Sequence, residues 1–259
     1  MRRLAGGLAL TAAASLAMGC RCTDPAPAPA ASASAAAPKP LTPLAASSWI
    51  QDLPVPGFGA AKVALPLGTV QPRRVIVALH GGFDRPEWQC GHWAAISGGH
   101  AFVLCPQGVA KAGRFTWSSA DKTAAELRAA LKALKQRHGD YVAPGSVVLA
   151  GYGPGADHAL LVAKQEPSFF SALALIEGGT KDFSSTLAAG YRQRGGQRML
   201  FLCAHPGCEK DAERAHLLSM RAGVDAKLVH MPTEQKLMSP KVVRALASNY
   251  AWLAPKPSP

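Results

Sequence analysis

Six short apolar runs, at residues 75–79, 101–104, 147–150, 172–176, 199–202 and 226–230, recur between longer stretches with helical periodicity. The clearest of those stretches is 122–137, where Leu127, Ala130, Leu131 and Leu134 share one face and lysines and arginines hold the other. A strand that is apolar at every position has no face to give to water, so it must be covered on both sides. Repeated strands of this kind alternating with amphipathic helices predict the α/β class: a mostly parallel sheet with helices on both faces. Residues 46–259 are about the size of one larger domain, and no internal repeat divides them.

The first 45 residues have a different character. Residues 1–20 open with Arg2 and Arg3, continue with an apolar run too short to span a bilayer, and end on Ala17-Met18-Gly19-Cys20. This is the composition of an export signal. The Gly19-Cys20 junction resembles a bacterial lipoprotein signal, with Ala17 where that pattern usually has leucine. The resemblance implies lipidation of Cys20 and a membrane partner reached through an N-terminal lipid anchor, in the bacterial cell envelope; cleavage as a plain secretory signal is the alternative. Residues 21–45, rich in proline, alanine and serine, contain too few large apolar side chains to form a core and read as a tether.

An exported chain with six cysteines invites disulfides. Setting aside Cys20 and the tether's Cys22, four remain in the domain: Cys90, Cys105, Cys203 and Cys208. Four cysteines allow three connectivities. Cys203 and Cys208 bracket a short turn, and Cys90 and Cys105 flank one helix-to-strand passage; buried free thiols are the alternative. No C-x-x-C pair occurs, and neither a metal nor an organic cofactor is signalled. The formal charge of +12 suits a small-molecule or anionic envelope ligand. Its basic residues are scattered, with one local cluster at 191–198, so nucleic acid is not an expected partner. Oligomeric state is not legible.

The segment 147–159, VVLAGYGPGADHA, is a buried strand running through a glycine-rich turn into a helix. Together with His80-Gly81-Gly82 after the strand at 75–79, it makes the chain resemble the α/β-hydrolase superfamily, within it the secreted esterase and depolymerase-like or dienelactone-hydrolase-like groups, over roughly residues 60–253. In that family the turn is a G-x-S-x-G nucleophile elbow, and the histidine-glycine loop supplies oxyanion donors. Here the elbow is Gly151-Tyr152-Gly153-Pro154-Gly155. Gly153 stands at the nucleophile position, and Pro154, at the donor position, has no N–H. The resemblance also implies a histidine after the last strand, yet residues 231–239 hold none, and His230 falls on the strand itself.

Losing one oxyanion donor costs about 2.7–4 kcal/mol of transition-state stabilisation, and losing the nucleophile removes the covalent route. The expected product is an α/β-hydrolase-like domain without serine-hydrolase activity, with no catalytic role at Gly151, Gly153, Pro154 or Gly155 and a vestigial oxyanion loop at His80, Gly81 and Gly82. It would act as a binding or scaffold module. An active hydrolase with rearranged residues is the alternative, with Ser118 or Ser119 as a replacement nucleophile. Glu209 and Asp211 are expected in the first turn of a helix beginning near Cys208. Phe83, Trp88, Trp93, Phe115 and Trp117 fall near the carboxyl ends of the early strands, most of them as packing residues.

Overall fold

Strand β3 (Val75–Leu79) is apolar at every position, so both of its faces are apolar, and both are buried. Val75, Val77 and Leu79 enter one core cluster, while Ile76 and Ala78 enter another on the opposite side. The computed structural model of the protein describes residues 40–145, 147–166, 169–231 and 238–255. The expected signal segment, Cys20, Cys22, most of the tether and most of the loop after the last strand lie outside the described residues. Lys39–Pro259 forms one compact unit.

An antiparallel pair, β1 (Ile50–Leu53) and β2 (Ala61–Ala64), starts the sheet. After β3 come α1 (Pro86–Ile96), β4 (Phe102–Cys105), the small hairpin β5 (Val109–Lys111) and β6 (Arg114–Thr116), and α2 (Ala120–His138). Then strand and helix alternate: β7 (Val148–Tyr152), α3 (Pro154–Gln165), β8 (Ala172–Ile176), α4 (Ser185–Gln193), β9 (Arg198–Cys203), α5 (Pro206–Arg221), β10 (Asp225–His230) and α6 (Pro240–Leu253). The eight-stranded sheet has the order β1-β2-β4-β3-β7-β8-β9-β10, parallel from β4 onward. Helices α2 to α5 contribute Leu127, Ala159, Tyr191 and Ala215 to one core; α1 and α6 contribute Trp93 and Leu246 to the other. A doubly covered parallel sheet is thus present as the apolar runs require.

Strands β3 and β8 coincide with the apolar runs, and β4, β7, β9 and β10 differ from them by one or two residues at their ends, as strand pairing rather than hydropathy sets the boundary. Four helices start with proline at the first position, where a missing N–H costs nothing. Helix α5 begins at Pro206, two residues before Cys208, because the His205 side chain caps it by accepting from Gly207 N at 3.0 Å. Both suggested disulfides form, Cys90–Cys105 between α1 and β4 and Cys203–Cys208 between β9 and α5.

Candidate functional site

Strand β7 delivers the chain to a sharp turn at the carboxyl edge of the sheet. Gly153, the N-cap of α3, has φ 52° and ψ −126°. A side chain there would meet nothing within 4 Å, so the turn presents bare backbone to open space where a nucleophile elbow presents its hydroxyl. The flanking glycines have another cause. A Cβ on Gly151 would lie 2.5 Å from Ala156 Cα, and one on Gly155 would lie 2.6 Å from Leu79 O, so α3 crosses the ends of β7 and β3 at a distance only hydrogen permits.

At the turn itself and at the end of the glycine loop, backbone donors are engaged or lacking. Gly153 N donates to Ile176 O at 2.8 Å, Pro154 has no N–H, and Phe83 N donates to Phe115 O at 2.9 Å. The Pro154 ring also leans on the glycine loop, its Cγ 3.3 Å from where a Cβ of Gly82 would be. Phe83 itself adopts φ 57°, held by the β5–β6 hairpin, which also bridges Asp84 to Phe115. His80 is fully buried beneath this loop. Its Nδ1 lies 2.7 Å from Gly81 O and its Nε2 3.0 Å from Gln107 O; its ring stacks 4.6 Å from Trp117, whose Nε1 donates to His80 O. His80 thus ties its own loop to those of Gln107 and Trp117.

Other polar residues reach this edge but do not form one constellation. Asp157 and His158 diverge as neighbours on a helix must. Asp157 Oδ1 accepts from Gly179 N at 2.7 Å, whereas His158 Nδ1 lies 3.0 Å from Thr123 Oγ1. Thr123 is buried and donates its hydroxyl proton to Ser119 O, so it offers no nucleophile to that imidazole. Ser119 caps α2 by accepting from Lys122 N. Ser118 lines a pocket of about 460 Å³ with Trp117, Lys122 and Glu126. Among the described residues, no serine or free cysteine is hydrogen-bonded to a histidine. Of the aromatic set, Trp93 and Trp117 are buried and Phe115 is half-buried, while Phe83 and Trp88 are 52% and 58% exposed.

Glu209 lies in the first turn of α5 as expected and also accepts from His230 Nδ1 at 3.0 Å across the α5–β10 edge, both side chains being exposed; Asp211, expected in the same turn, falls beyond it because the helix starts at Pro206, and pairs with Arg214. Glu177, which the sequence reading passed over, follows β8 directly and holds φ 55°. Its Oε1 accepts from Ala204 N, and its Oε2 lies 3.4 Å from Cys208 Sγ. Burial raises its carboxyl above the ordinary value, opposed by the Ala204 amide and by His205. Burial, with Glu177 and then Asp84 adding to it, pushes the Tyr152 hydroxyl up to about 12. The overlooked signal is the acid-glycine-glycine exit from an apolar strand: Gly178 passes so close to Gly153 O that it has no room for a side chain.

Two groups of metal-ligand type occur among the described residues. In one, Glu177 faces Cys203 and Cys208, whose sulfurs are bonded to each other; the other, Glu209, Glu213 and His230, is largely exposed. Neither is an enclosed site.

No family model matches the chain, and no curated protein matches it in sequence. Solved structures do resemble it. Est1E from Butyrivibrio proteoclasticus is 12% identical with a TM-score of 0.56, over 81% of this chain and 100% of that one. TT1662 from Thermus thermophilus is 16% identical with a TM-score of 0.60, over 80% and 98%. A dienelactone hydrolase-like promiscuous phosphotriesterase, P91, from metagenomic libraries is 14% identical with a TM-score of 0.60, over 79% and 98%. At these identities the likeness shows the fold, which is that of the α/β-hydrolases.

Proposed function

We propose that this protein is an exported envelope lipoprotein whose α/β-hydrolase-fold domain performs no serine-hydrolase chemistry and serves as a binding or scaffold module. The observation that carries this reading is the turn at Gly153: it has positive-φ geometry and an open approach, but no side chain, a spent N–H and a proline next to it. An acyl-enzyme needs an activated oxygen or sulfur beside preorganised donors, and here the nucleophile position is glycine and the donor position next to it is proline. The turn is instead built for packing, with glycine relieving the left-handed conformation and Pro154 starting α3. The ligand expected of such a module, on a chain of charge +12, is a small molecule or an anionic envelope component.

A working hydrolase of esterase or depolymerase type is the second reading. The Glu209–His230 pair favours it, because an acid after β9 and a histidine at the end of β10 stand in the order the family uses. Labelling of the purified full chain with a fluorophosphonate probe, read by intact mass beside turnover of short-chain activated esters, separates the two. Absence of both adduct and turnover above a denatured control is the expected result. A stoichiometric adduct on a serine would overturn the non-catalytic reading and locate the nucleophile by peptide mapping.

A further inference from the structure

The amino ends of the parallel strands enclose a cavity of about 680 Å³, at the opposite end of β7 from Gly153. Its charged lining is one-sided. Arg73 and Arg74 precede β3, Arg198 opens β9 and His100 precedes β4, and no aspartate or glutamate is among the lining residues. The rest of the wall is mainly small or apolar, with the half-buried Tyr250 of α6 facing the arginines.

The arginines are under-compensated. Arg73 Nε donates to Thr69 Oγ1 at 2.7 Å, and one Arg74 nitrogen donates to Pro255 O just beyond α6. Arg198 Nε is buried with no hydrogen-bond partner. The nearest acid, Asp225, lies outside the lining with its Oδ2 3.5 Å away, and that oxygen already accepts from Trp252 Nε1. Burial lowers the Arg74 pKa from its ordinary value; the Tyr250 hydroxyl opposes the shift, and repulsion from Arg198 adds to it. Guanidinium groups carry five donors each, so among the described residues most of the donors in this wall are without a protein acceptor. Half-buried like charges with vacant donors are costly unless an anion completes them.

We propose that this cavity binds a small organic anion, with a phosphate or carboxylate head held by Arg74, Arg198 and Tyr250 and a compact apolar body against the remaining wall. This deepens the reading of the domain as a binding module, but at a different place from Gly153. A fluorophosphonate adduct would therefore sink the non-catalytic reading and leave this site untouched, whereas loss of anion binding would leave that reading standing.

Calorimetric titration of the purified full chain with phenyl phosphate, inorganic phosphate, benzoate and neutral benzyl alcohol tests the site. One-to-one binding of phenyl phosphate or benzoate, with no binding of benzyl alcohol, is expected. Binding should weaken as salt rises. Arg74→Gln and Arg198→Gln should each weaken it about tenfold or more, the loss of a charged hydrogen bond. Tyr250→Phe, which removes one oxygen and keeps the ring, should weaken it roughly threefold with an unchanged thermal midpoint, and it decides the matter if the arginine variants do not fold. Inorganic phosphate binding as tightly as phenyl phosphate supports the site and assigns it to free phosphate. No anion binding, equal binding of benzyl alcohol, or undiminished binding in folded variants overturns it.

Discussion

At the scale of single residues, Gly153 and Glu126 show how geometry and burial give opposite forecasts for conservative changes. A serine at 153 meets no steric obstacle, yet its positive φ costs a side-chain-bearing residue roughly 1–2 kcal/mol. Gly153→Ser should therefore fold with a thermal midpoint a few degrees lower and gain no ester turnover, since Pro154 still supplies no donor; measurable turnover would mean that the surrounding machinery is intact. Glu126 is buried, with Oε1 accepting from Gly108 N at 2.9 Å. Burial raises its carboxyl above the ordinary value of 4.5, against the Gly108 and Gln107 amides that favour the charged form. A group that holds its proton more tightly when folded stabilises the fold below its unfolded pKa and loses that contribution as pH rises through the raised one. Glu126→Gln keeps the acceptor and removes the charge, so it should be more stable than the parent at neutral pH. Urea unfolding across the acid range should show the gap closing below the ordinary carboxylate pKa, and a gap that widens there would refute the sign.

At the scale of elements, the two disulfides clamp loops of unequal length, 15 residues apart in sequence for Cys90–Cys105 and 5 for Cys203–Cys208. Loop-closure entropy gives about 3 kcal/mol for the first and about 2 kcal/mol for the second. Replacing Cys90 and Cys105 together by alanine should accordingly lower unfolding stability more than replacing Cys203 and Cys208, and equal losses would show that the short clamp also fixes α5 against β9. These elements also show why some structure was legible in the chain and some was not. β3 and β8 could be placed to the residue because a strand covered on both faces must be apolar throughout. The strands β5 and β6 could not, because each is three residues long and wholly or partly exposed, so hydropathy carries no trace of their pairing. The Glu209–His230 contact was likewise hidden, because it joins side chains from α5 and β10, 21 residues apart in sequence. The glycine and proline at the elbow were fully legible, since they are a matter of residue type.

At the scale of the whole molecule, a parallel sheet separates two ends with different chemistry. At the carboxyl end His80, Asp157 and Glu177 are each tied to the backbone of a neighbouring loop, and the amino end gathers cationic groups around a cavity without acids. Among the described residues no helix is long and apolar enough to cross a membrane; the proposed attachment to the envelope rests on the N-terminal segment. The two disulfides bear on the same question independently, because such bonds persist in oxidising compartments outside the cytoplasm. If Cys20 is lipidated, the protein made from the full chain should sediment with membranes and need detergent for release. Cys20→Ser should abolish that attachment without touching a domain that begins beyond the tether. Fractionation with intact-mass analysis and thiol counting reads both properties at once. Loss of the membrane fraction with both disulfides kept supports a lipid anchor on an exported domain; a soluble parent protein with both disulfides would instead indicate a plain secretory signal, and four reactive domain thiols would contradict export.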